Sequence, residues 1–147
     1  MPIIVINSGY FDPIHIGHIE CFKLSKELGD KLIVIVNNDK QTLLKKGYVF
    51  MNQEQRIEIA KSIKYVDEAI LSVDEDKSVC KTLALIAKKY KNNILIFAKG
   101  GDRYNYEIPE KSICNELNIK IVDGLGEKIQ SSSELISKAK NGKQEKA

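Results

Sequence analysis

Cysteine is scarce and scattered: Cys21, Cys80 and Cys114 are the only three. An odd, widely spaced set makes neither a disulfide framework nor a zinc site. It suits small buried side chains in a reducing compartment. No apolar run approaches the length that spans a bilayer, so no membrane partner is expected. No basic leader precedes the first apolar segment, which starts at Ile3, and the expected location is cytoplasmic. Charge is not one-sided either. Lys and Arg total 23 against 20 Asp and Glu, a net +3 that suits anionic small molecules and is no nucleic-acid signature. There is no obvious repeat, and no low-complexity tract before the C-terminal tail. Histidine occurs twice, at His15 and His18, three residues apart.

What is present is ordinary globular material. The 147 residues are 43% hydrophobic and 29% charged, enough for one domain with a core. Residues 1–140 are expected to form that domain, and 141–147 a fraying basic tail. Apolar runs at 3–6, 31–36, 68–73, 94–98 and 119–122 read as strands. Helical spacing falls between them, after residue 18, from Asn52, around 79–90 and from Pro109 to Leu117. Gly29 reads as the C-cap of the first helix, and Asn52 with Gln55 as a capping box. Residues 40–47 read as a lysine-bearing loop. Ser131 and Glu134 have capping-box spacing before a last helix. Alternating strands and helices predict an α/β fold, with a five-stranded parallel sheet between two helical layers. Ligands in such sheets bind beyond the carboxyl ends of the strands, at the switch point of strand order.

The polar segments converge on that edge. Gly9-Tyr10-Phe11-Asp12-Pro13-Ile14-His15-Ile16-Gly17-His18 joins the first strand to the first helix. A helix N-terminus there offers free N–H groups to an anion, and two imidazoles add donors. The chemistry this suggests is stabilisation of a phosphate whose charge is changing. No further cluster completes a protein-held metal site. Lys45 or Lys46 is placed to close over a triphosphate. Arg56, early in its helix, has guanidinium geometry suited to phosphate. Gly100, Gly101 and Asp102 follow a buried strand, where backbone can approach a base and Asp102 can accept from it. Ser131, Ser132 and Ser133 lie at a helix start suited to terminal phosphates.

These stretches resemble the cytidylyltransferase-like nucleotidyltransferases. Residues 9–18 match that superfamily's G-x-F-D-x-x-H-x-G-H signature. Lys46 to Arg56 and Tyr65-Val66-Asp67-Glu68 look like the phosphocholine, phosphoethanolamine and glycerol-3-phosphate cytidylyltransferases. Lys99-Gly100-Gly101-Asp102 looks more like the heptose-1-phosphate adenylyltransferase branch. The resemblance implies a Rossmann-like, doubly wound domain. It implies in-line attack of a phosphate monoester on the α-phosphorus of CTP or ATP, pyrophosphate release, Mg2+ carried on the triphosphate, and a homodimer. By match, His15 and His18 stabilise the transition state, and Lys46 or Lys45 clamps the phosphates. Gly9, Tyr10, Phe11 and Asp12 form the nucleotide loop. Arginine, usual before the last helix, is missing, and Lys128 stands in that segment. CTP with a phospho-alcohol or sugar phosphate is the leading expectation. The alternatives are an FMN or phosphopantetheine adenylyltransferase, and a nucleotide-binding regulator with a degenerate site.

Overall fold

The computed structural model describes residues 1–100 and 108–125. Five strands and five helices follow in the order β1 (Ile3–Gly9), α1 (Ile16–Lys26), β2 (Lys31–Val36), α2 (Asp39–Lys46), α3 (Gln53–Lys61), β3 (Glu68–Leu71), α4 (Cys80–Lys89), β4 (Ile94–Gly100), α5 (Lys111–Glu116) and β5 (Lys120–Leu125). The strands pair in parallel in the order β3-β2-β1-β4-β5. The chain therefore winds outward from β1 through β2 to β3. It then crosses back to β4 and continues to β5, which is the expected doubly wound Rossmann-like arrangement.

The apolar runs are near-continuous because both faces of the sheet are covered. Val5, Leu32, Val34, Val36, Ile96 and Ala98 pack against Phe22 of α1 and Ala60 of α3. The alternate residues Ile4, Ile6, Ile33, Ile35, Leu95 and Phe97 meet Leu83 and Ile86 of α4 and Cys114 of α5. Cys114 is buried among them, and burial pushes its thiol up to about 12, so it behaves as an inert apolar group.

Two local expectations change. Residues 39–46 form a helix rather than a loop. Asn38 accepts from Gln41 N–H, Gln41 answers with its own side chain, and Gly47 closes the other end at φ 84°. α1 stops at Lys26 with Glu27 as its cap. Gly29 instead passes so close to β1 that a Cβ would lie 2.8 Å from the Ile3 carbonyl oxygen. The C-terminal helix expected from Ser131 lies outside the described residues, as do the expected domain end at 140 and the tail.

Candidate active site

The crossover from β1 to α1 sits at the switch point between β1 and β4. At Gly9 the chain leaves the sheet and Phe11 folds back over it. A Cβ on Gly9 would stand 2.6 Å from the Phe11 ring, so only glycine admits this turn. Phe11 takes a left-handed φ of 52° and is buried. Its ring meets Phe22 and His18 edge-on, at centroid distances of 5.3 and 5.0 Å. Phe11, expected at the nucleotide, is thus a core wedge beneath His18.

The two histidines cap α1 reciprocally. His15 Nδ1 accepts from Gly17 N–H at 3.1 Å, and His18 Nδ1 accepts from the His15 N–H at 3.0 Å. An accepting Nδ1 carries no proton, so each neutral ring holds its hydrogen on Nε2. The rings stack at 3.9 Å with planes 27° apart. Burial, and then the neighbouring His15, lower the His18 pKa to about 4, while burial also lowers His15. Near neutral pH both are therefore uncharged donors through Nε2–H.

Asp12, expected to help shape the nucleotide loop, is turned inward. Its carboxylate accepts from Phe50 N–H at 2.8 Å and Met51 N–H at 2.6 Å. Lys46 reaches the same loop from the last turn of α2. Its Nζ donates to the Asp12 carbonyl at 2.6 Å and lies 3.8 Å from the carboxylate. Lys45 approaches from the same turn, its Nζ 4.8 Å from the centre of the Tyr10 ring. Both lysines are thereby brought to the histidine loop, and both stand as clamp candidates.

Arg56 was expected to face phosphate, and the structure gives it another task. Its side chain is 0% exposed, and its donors are engaged by protein. Nη1 donates to the Tyr10 and Asn37 carbonyls at 2.7 Å, Nε to the Met51 carbonyl at 2.9 Å, and Nη2 to Asp39 at 2.7 Å. One planar fork thus ties together the segments following β1, β2 and α2. Gly100 is likewise used for packing: a Cβ there would lie 2.7 Å from Cys21 Sγ and 3.1 Å from the Leu125 carbonyl oxygen.

Lys99 was not among the residues expected at the site. Its Nζ donates to Ser8 Oγ at 3.3 Å, which sets a cation across the switch point between β4 and β1. Its place at the carboxyl end of a strand beside the Gly-Gly pair was the available signal. Asn7, also unanticipated, bridges Ser25 Oγ and the Ala98 carbonyl from beneath the same edge. Gly101, Asp102, Lys128, Ser131, Ser132 and Ser133 lie outside the described residues. A separate cavity lined by Ala84, Ala87, Lys88, Leu95, Leu117 and Asn118 opens near the start of β4, away from this edge.

A stacked histidine pair at the switch point of a 3-2-1-4-5 parallel sheet is the arrangement expected of one class, the nucleotidyltransferases. The comparisons agree. A cytidylyltransferase-like family model matches residues 6–137. The FAD synthase of Pyrococcus horikoshii is 35% identical over 119 residues, spanning 80% of this chain and 77% of that one. The FAD synthase of Methanothermus fervidus is 37% identical over 119 residues, spanning 79% and 74%. The crystal structure of a lipopolysaccharide core biosynthesis protein from Thermoplasma volcanium superposes with a TM-score of 0.65 at 29% identity. That match covers 86% of this chain and 98% of the other. The chain belongs to the cytidylyltransferase-like family and is a nucleotidyltransferase. Among the described residues no helix is long and apolar enough to cross a membrane.

Proposed function

We propose that the enzyme adenylylates FMN, making FAD and pyrophosphate from ATP. Relatives named FAD synthase along most of the chain favour this alternative over the CTP-dependent expectation. The observation that carries the chemistry is the stacked pair His15 and His18, each with Nδ1 occupied by a backbone N–H. Both Nε2–H groups are then fixed donors for phosphate oxygens, present without reorganisation as charge builds. An FMN phosphate oxygen attacks the α-phosphorus in line. The bond from that phosphorus to the bridging oxygen breaks, and pyrophosphate leaves with the electron pair. Lys46 and Lys45 supply positive charge beside the loop, and Lys99 supplies it from β4. Mg2+, expected on the triphosphate, neutralises part of its charge when bound. Asp12 has both oxygens on backbone amides, and the described residues contain no group of three metal-ligating side chains.

The test crosses nucleotide with acceptor. With Mg2+, ATP plus FMN is expected to give FAD and pyrophosphate at a rate well above CTP with glycerol 3-phosphate or phosphoethanolamine. Pyrophosphate from the CTP pairs, with none from ATP and FMN, would restore the phospho-alcohol reading. That second reading rests on the matches at Lys46 to Arg56 and Tyr65 to Glu68.

A further inference from the structure

Two aromatic rings stand in solvent on a backbone that is held still. Tyr48 is 56% exposed and Phe50 is 67% exposed, both in the segment between α2 and α3. That segment is fixed at both ends and in the middle. Gly47 N–H donates to the Leu43 carbonyl, Asp12 takes the N–H groups of Phe50 and Met51, and Arg56 takes the Met51 carbonyl. Large apolar side chains exposed on a mobile loop need no explanation. On a segment anchored by a buried carboxylate and a buried guanidinium, they are a preformed surface.

Their place beside the site gives that surface a chemistry. Lys46, whose Nζ bonds the Asp12 carbonyl of the histidine loop, has the same Nζ 5.4 Å from the centre of the Tyr48 ring. Lys46 therefore links the histidine loop to the Tyr48 ring, and Phe50 follows two residues on. An acceptor that fits both carries a phosphate at one end and a flat, largely apolar ring at the other. A phospho-alcohol such as glycerol 3-phosphate uses only the first half.

We infer that Tyr48 and Phe50 form the platform on which the isoalloxazine ring of FMN rests while its phosphate reaches the histidine pair. This inference rests on the FMN reading and names the residues that would select that acceptor. Stacking of a planar heterocycle on an aromatic side chain is typically worth about 1–3 kcal/mol, roughly five- to more than a hundred-fold in affinity. It is contributed by side chains that stand outside the core.

The experiment compares wild type with Tyr48→Phe, Phe50→Ala and the double variant Tyr48→Ala/Phe50→Ala. FMN binding is read by flavin fluorescence, and FAD synthesis gives KM for FMN and for ATP separately. The double variant is expected to raise the FMN KM and dissociation constant about ten-fold or more. Its melting temperature should stay near wild type, any change in ATP KM should be smaller than the change in FMN KM, and Tyr48→Phe, which keeps the ring, should bind FMN as wild type does. Unchanged FMN binding in the double variant, while wild type makes FAD, would overturn the platform and leave the FMN reading standing. A change from dimer to monomer by light scattering, with FMN binding unchanged, would overturn it in favour of self-association. Failure of wild type to bind FMN or form FAD would overturn the FMN reading and the platform together.

Discussion

Asp12 and Asp74 are the same device in two places. Each is a buried aspartate whose two oxygens accept backbone N–H groups from the segment ahead of it. Asp74 holds the Lys81 and Thr82 N–H groups and the Thr82 hydroxyl at the start of α4. There it acts as a helix cap, and its own carbonyl accepts from Asn38 at the start of α2. Asp12 holds Phe50 and Met51, which belong to the rim of the site. The same use of backbone N–H groups secures the start of α4 in one case and the segment beside the histidine loop in the other. A buried hydrogen bond is read for function by what the bonded backbone carries, not by its own strength.

Substitutions that keep size while altering donors separate these roles. The largest effect belongs to the centre of the Asp12 region. His18→Asn keeps an acceptor for the His15 N–H but removes Nε2–H. We expect turnover to fall about 10²–10³-fold with little change in melting temperature; retention of wild-type rates would sink the assignment of His18 to the transition state. Acid should expose the same residue. Its native pKa of about 4 lies below the ordinary value of 6.5, so the folded state binds fewer protons between them. Its contribution is complete above about pH 6.5 and is lost as pH falls toward 4, by on the order of 3 kcal/mol. Denaturant titrations across that window should show the loss in wild type and a flatter profile in His18→Asn.

The direct contrast follows. Asp12→Asn sets a side-chain NH2 against a backbone N–H and frees the Phe50 segment. Steady-state assays are expected to show kcat/KM down about 10²-fold, the scale of a small misplacement of reacting groups. Asp74→Asn creates the same donor conflict at α4. It should cost about 1–3 kcal/mol in chemical denaturation while leaving KM and kcat of the surviving enzyme unchanged. Equal loss of activity from both variants, at temperatures where both are folded, would erase the distinction between the two regions.

The sheet was legible in the sequence because burial on both faces writes each strand as an apolar run, as in Leu32 to Val36. The histidine loop was legible because glycine, helix start and imidazoles fall together at residues 9–18. α2 escaped because Leu43 and Leu44 are exposed and leave no apolar stripe to read. Its end signals, Asn38, Gln41 and Gly47, follow the same rules that located α3 at Asn52. Arg56 was recognised as important yet given the wrong neighbours. A charged residue near a phosphate site reads as a ligand in sequence, and only the fold shows that backbone atoms have taken its donors or oxygens. Phe11 illustrates the same limit. Its ring is a wedge under His18, a role that spacing does not encode.

The reciprocal cap has one more consequence. With Nδ1 of each ring committed to a backbone amide, neither imidazole is a two-ended relay. Nε2 already carries the hydrogen of each neutral ring, so a further proton can go only to Nδ1, where it breaks the turn that starts α1. Held in this way, the pair gives hydrogen bonds through Nε2–H and does not relay protons.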